Sequence, residues 1–108
     1  MIAWLGEPMT RVVAFVPDLM DRSRISAANA GVEFVTRAEA LLEATADVTI
    51  ADLSRPGAVE ALAVAHGRRL GFASHVDRET LEAARAAGCE VLTRNEFFQR
   101  VGELVGLA

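Results

Sequence analysis

Five short, mostly apolar runs recur along the chain: RVVAFV at 11–16, VEFV at 32–35, VTIAD at 48–52, RLGFA at 69–73 and EVLT at 90–93, with stretches of helical composition between them. A strand that alternates apolar with polar residues can leave one face in water. A strand that is apolar throughout needs cover on both faces. Parallel strands also need crossovers of about a dozen residues or more, which the intervening stretches supply. The repeat therefore predicts an α/β domain with a parallel sheet between two layers of helices. At 108 residues the chain is too short for an eight-stranded barrel, which takes about 200 residues or more.

Helix signals fill in the connections. A helix is expected over Met20–Ala28, with Asp21 or Ser23 near its start and Asn29-Ala30-Gly31 ending it. Thr36 is expected to cap a helix over Arg37–Ala46, and a short helix is expected over Gly57–Ala65. Asp77–Ala87 is strongly helical, with Gly88 in the position that closes it. Asn95 is read as the cap of a last helix, Glu96 to about Val105, whose inner face carries Phe97, Phe98, Val101 and Leu104. The expected fold is a three-layer, flavodoxin-like sandwich: a five-stranded parallel sheet of order 2-1-3-4-5 with helices on both faces. Its ligand crevice falls at the C-terminal ends of strands 1 and 3, where Asp18 and Asp52 stand.

Composition narrows the function. The net charge is -4 and no basic cluster is longer than Arg68-Arg69, so the electrostatic footprint of nucleic-acid binding is missing and no nucleic-acid partner is expected. No apolar run approaches the ~20 residues needed to span a bilayer, so no membrane association is expected. The opening MIAWLGEP carries an acid and no basic residue, unlike a secretory leader. With one cysteine, Cys89, no internal disulfide can form, and a cytoplasmic location is expected. Residues 1–9 read as an N-terminal extension, with Trp4 and Leu5 folding back as a cap or Met9 as the natural start, and residues 10–108 as the domain. All eleven cations are arginine, so any role that commonly falls to lysine must fall to arginine here.

The residues at the strand ends resemble those of the receiver domain of two-component response regulators. The resemblance runs over nearly the whole chain from Arg11. FVPDLMDRSRI supplies Asp18 after strand 1, DLSRP supplies Asp52 at the end of strand 3 with Pro56 four residues on, GFASH supplies Ser74 after strand 4, and VLTRNEF supplies Arg94 after strand 5. Pro17 stands where that family has one acid of a pair, Arg94 where it has lysine, and Val91 near an aromatic switch position. The stretch from Asp52 to Ser74 is also shorter than usual.

The resemblance implies Asp52 as phosphoacceptor, with Ser74 and Arg94 sensing the phosphate. It implies Mg²⁺ held by Asp18, Asp52 and the Ser54 carbonyl, with the affinity weakened by Pro17 and Asp21 as a substitute acid. The implied partner is a protein, a histidine kinase if phosphorylation is retained. A homodimer is expected through the fourth helix, fifth strand and fifth helix, where Leu81, Val91, Phe97, Phe98 and Val101 supply apolar surface.

Each residue also has a plain reading. Asp18 is a turn or helix cap, Ser74 a turn hydroxyl, and Arg94 an ion-pair partner of Asp52 that locks the site shut. His66 beside Gly67 caps a helix end, and Cys89 is a small buried residue. Two classes of function follow. One is a stand-alone atypical receiver-like domain, either phosphorylated at Asp52 or acting as a phosphorylation-independent interaction module, with no catalysis beyond phosphoacceptance and its reversal. The other is a small-molecule-binding or enzymatic domain that uses Asp18, Asp52, Ser74 and His75 in the same crevice. A Ser74–His75–Asp77 triad is disfavoured, because adjacent residues at a strand end point apart and no elbow glycines flank the serine.

Overall fold

The structure, a computed structural model, describes residues 10–106. The extension at 1–9, with the readings for Trp4, Leu5 and Met9, lies outside the described residues. The strands are β1 (Val12–Phe15), β2 (Glu33–Phe34), β3 (Val48–Asp52), β4 (Arg68–Ala73) and β5 (Glu90–Thr93). The helices are α1 (Leu19–Ala28), α2 (Ala58–Ala63), α3 (Arg78–Ala86), α4 (Arg94–Gln99) and α5 (Val101–Val105), with a 3-10 turn at Ala38–Leu42 between β2 and β3. All pairings are parallel and the order is β2-β1-β3-β4-β5, as the strand pattern predicts.

Side-chain alternation divides each apolar strand between two cores. Val12, Ala14 and Val16, with Ile50, Leu70, Phe72 and Leu92, pack against Ile25 of α1 and against Phe97, Phe98, Leu104 and Val105. Val13, Phe15, Ala51 and Ala73 face the other way, onto Leu41, Ala58, Leu62, Leu81, Ala84 and Cys89. The strands are apolar at successive positions because both faces are buried. The second layer is rich in alanine, which lets its short helices lie close to the sheet. At Gly71 of β4 a Cβ would stand 2.7 Å from a Leu53 methyl, so that position has no room for a side chain.

Two elements depart from expectation. The helix expected over Arg37–Ala46 is only the 3-10 turn, and Thr36 does not cap it; Arg37 precedes the turn without a side-chain cap bond. The cause is the pull of Arg11. Its backbone N–H donates to Asp47 Oδ2 at 2.8 Å, its guanidinium donates to the Thr45 carbonyl at 3.2 Å and hydroxyl at 3.1 Å, and the Asp47 N–H donates back to the Arg11 carbonyl at 2.9 Å. Residues 45 and 47 are thereby tied to the residue that leads into β1, and helix does not continue through 45–47.

The last helix is also divided: α4 begins at Arg94, and Arg100, at φ -110°, separates it from α5. Its cap is Thr93 rather than Asn95. The Thr93 hydroxyl accepts from the Glu96 N–H at 3.2 Å while Glu96 Oε1 accepts from the Thr93 N–H at 2.9 Å, a reciprocal capping box. Phe97 and Phe98 are both buried, and with Phe72 they form a stacked and edge-to-face trio with centroids 4.6–5.4 Å apart. Leu81, Phe97 and Phe98 therefore lie inside the fold, and the expectation that they furnish a dimer surface does not hold for these residues. No helix among the described residues is long and apolar enough to cross a membrane.

Candidate functional site

Parallel strands end on one edge, and the chemistry-bearing residues collect there. Asp18 follows β1 and Asp52 closes β3, and β1 and β3 are neighbours in register, Phe15 opposite Ala51. Asp18 is exposed and caps α1, its Oδ1 accepting from the Asp21 N–H at 3.0 Å. That cap turns the next acid inward. Asp21, one turn into α1, is 2% exposed and pairs with the Arg94 guanidinium from α4; its second oxygen, Oδ2, is buried without a hydrogen-bond partner among the described residues.

Asp52 is buried and its two oxygens face different groups. Oδ1 accepts from the Ser54 N–H at 3.1 Å and from the Ser54 hydroxyl at 2.7 Å. Oδ2 faces Arg55 Nε at 3.5 Å. The sequence reading that paired Arg94 with Asp52 is therefore corrected: Arg94 holds Asp21, and Asp52 is paired with Arg55 three residues on.

Arg94 remains in the field of all three acids. Its guanidinium is held further above its ordinary range, first by the hydrogen bond to Asp21, then against the opposing effect of burial by the charges of Asp21, Asp52 and Asp18. Its cationic centre lies 5.3 Å from the Phe98 ring centroid and 5.7 Å from that of Phe72.

Ser74 follows β4, and its hydroxyl oxygen accepts from the Val76 N–H at 3.3 Å. With Arg94 and His75 it lines a cavity of about 270 Å³ that also borders Arg24, Asn95 and Phe98. Neither Asp18 nor Asp52 lines this cavity. The structure thus brings Asp18, Asp52 and Arg94 to one edge, with Ser74 at the end of β4, the strand between β3, which carries Asp52, and β5, which leads into Arg94.

A divalent cation fits this donor set poorly. Among the described residues no group of three or more acids, histidines or cysteines is placed to hold a metal. Asp18 Oδ1 is engaged as a cap, Asp52 Oδ1 is taken by Ser54, and Asp21, the substitute acid, is paired with the Arg94 guanidinium. An oxygen-seeking cation would need those carboxylates free.

Two participants escaped the sequence reading. Arg55 was legible in principle as the i+3 neighbour of Asp52. Arg24 was legible as the residue one helical turn beyond Asp21 on α1.

The fold and this edge define a class first: a doubly covered five-stranded parallel sheet with an acid–arginine cluster at the C-terminal ends of its central strands. Within that class the chain is similar to a response regulator from Colwellia psychrerythraea, whose crystal structure matches it with a TM-score of 0.63 over 91% of this chain and 98% of that one, at 15% sequence identity. The fold is therefore receiver-like. No family model matches the chain, and no curated protein matches it.

Proposed function

We propose that the chain is an atypical receiver-like signalling domain that works through protein contacts without needing phosphorylation. The observation that carries the reading is the buried Asp21–Arg94 pair. A receiver-type site must gather a metal and a phosphoryl group around free carboxylates; here a side chain of the protein itself supplies the cation to those acids. Arg94 matches Asp21 and Arg55 faces Asp52, so two of the three acids meet a cation of the protein itself, and Asp52 Oδ1 also accepts two hydrogen bonds from Ser54. Leu19, Met20 and Val76 are 75%, 74% and 71% exposed. They lie in the segments following β1 and β4 at this same edge and offer apolar surface to a partner protein.

The test is to incubate the protein with Mg²⁺ and a small phosphodonor and to weigh it. The expected outcome is an unchanged mass. A stoichiometric phosphoryl adduct that disappears in Asp52→Asn would overturn this reading in favour of a kinase-driven domain. One observation favours that second reading: Oδ2 of the buried Asp52 accepts no hydrogen bond among the described residues and has only the 3.5 Å approach of Arg55, so it is the less committed of the two oxygens.

A further inference from the structure

We propose that the groove between the 3-10 turn at Ala38–Leu42 and α2 is covered by the chain's own N-terminal segment, with the indole of Trp4 seated in it. The groove has a volume of about 270 Å³ and lies on the alanine-rich side of the sheet. Ala38 and Ala61 in its lining are buried, while Leu42 and Val64 on its rim are 44% and 66% exposed. Apolar surface of this kind gains from being covered. The polar part of the lining is two carboxylates, Glu39 and Glu60, and no side chain there has a hydrogen to donate. The groove therefore fits an occupant that is apolar over most of its surface and brings its own N–H. Indole is such a group: its nitrogen only donates, and it usually finds an acceptor when buried. Trp4 is the one tryptophan of the chain, with Leu5 beside it.

The point where the chain enters the described fold lies within reach of this groove. Thr10 precedes Arg11, whose guanidinium donates to the Thr45 hydroxyl at 3.1 Å, and Thr45 stands three residues after Leu42. Those three residues span at most about 11 Å. On the other rim, Val64 stands four residues before Arg68, whose N–H donates to the Asp47 carbonyl at 2.9 Å, and the Asp47 N–H donates to the Arg11 carbonyl at 2.9 Å. Trp4 is six positions before Thr10, a reach of about 20 Å when extended. Pro8 disfavours the helical region at Glu7, which favours an extended path over that distance. Glu7, the one charged side chain among residues 1–9, belongs to this spacer and not to the part that meets Glu39 and Glu60.

The chain has one tryptophan and no tyrosine, so the intrinsic fluorescence of the full chain reads Trp4 alone. The expected emission is blue-shifted from that of the urea-unfolded protein, with acrylamide quenching reduced several-fold. Leu42→Gln and Val64→Gln alter exposed rim positions and should keep the wild-type circular dichroism; each is expected to return quenching towards the unfolded value. Val76→Gln, 71% exposed and placed after the end of β4 rather than before its start, should leave quenching unchanged. Quenching as fast in the native protein as in urea overturns the proposal and leaves the groove open to a different protein. Slow quenching that neither rim variant alters, or that Val76→Gln raises as much as they do, overturns the groove as the seat of Trp4. Protection that is lost on dilution, with a matching change in sedimentation, overturns the intramolecular contact in favour of a second copy of the chain. The phosphodonor experiment reads Asp52 by mass, so either idea can fail while the other stands.

Discussion

Asp21 is a carboxylate removed from water and matched by a single guanidinium 73 positions away in sequence. Arg94→Ala would leave that charge buried and unpaired, which costs about 3–5 kcal/mol for a fully buried pair. The Arg94 side chain is 44% exposed, so water can reach the vacated space and a loss of about 1–3 kcal/mol is expected. Urea denaturation of R94A, D21N and the double variant measures it. If the single losses simply add, the two residues are not coupled and the pair is not what holds this edge. Cys89 gives a second check at this scale. Burial pushes its thiol above the ordinary range, against the lesser opposing charge of Arg69, so alkylation by iodoacetamide at neutral pH should be slow in the folded protein and fast in urea. Asp18, Asp52, Ser74 and Arg94 were legible in the sequence because strand ends follow directly from the strand pattern. The pairing of Arg94 with Asp21 rather than Asp52 was not, because it depends on how α1 is rotated by its cap.

At the scale of elements, Thr93 shows why a boundary was misplaced. It is the last residue of β5 and the cap of α4 at once, so strand passes into helix with no loop between. The T-x-x-E signature of a capping box was present at Thr93–Glu96, but assigning Thr93 to the strand left Asn95 as the nearest cap. Thr93→Ala should cost about 1 kcal/mol and Thr93→Ser much less, both readable as shifts in the urea midpoint. The turn before β4 is constrained by backbone alone. Gly67 has φ +78°, and a Cβ there would stand 2.5 Å from the Asp47 carbonyl oxygen. Gly67→Ala is therefore expected to destabilise by about 1 kcal/mol or more. The 3-10 turn was beyond sequence reading for another reason: 37–46 has good helical composition, and only the claim of Arg11 on Thr45 and Asp47 overrides it.

Across the whole molecule, the carboxylates with resolved shifts all move the same way. Glu33 is held below the ordinary range by Arg11, Glu90 by Arg68, and Glu96 by its bonds to Thr93. A carboxylate depressed on folding contributes stability that is complete above its unfolded value of about 4.3 and is lost as pH falls through the folded one. Thermal melts should accordingly be flat from neutral pH to about pH 5 and decline below about pH 4, with a shallower decline in Glu96→Gln. A decline that sets in near pH 6 would mean that other groups dominate.

The sandwich itself was readable from periodicity, since continuous apolar strands admit few arrangements. Less visible was how its two ends meet. α1 is fastened to the C-terminal helices at both extremities, by Asp21 to Arg94 and by Asn29, whose Nδ2 donates to the Val105 carbonyl at 2.7 Å. On a ribosome, the first helix would emerge some seventy residues ahead of either anchor, a delay set by sequence separations of 73 and 76. The opening βα segment must therefore wait, half-assembled, until residues 94 and 105 have both been made.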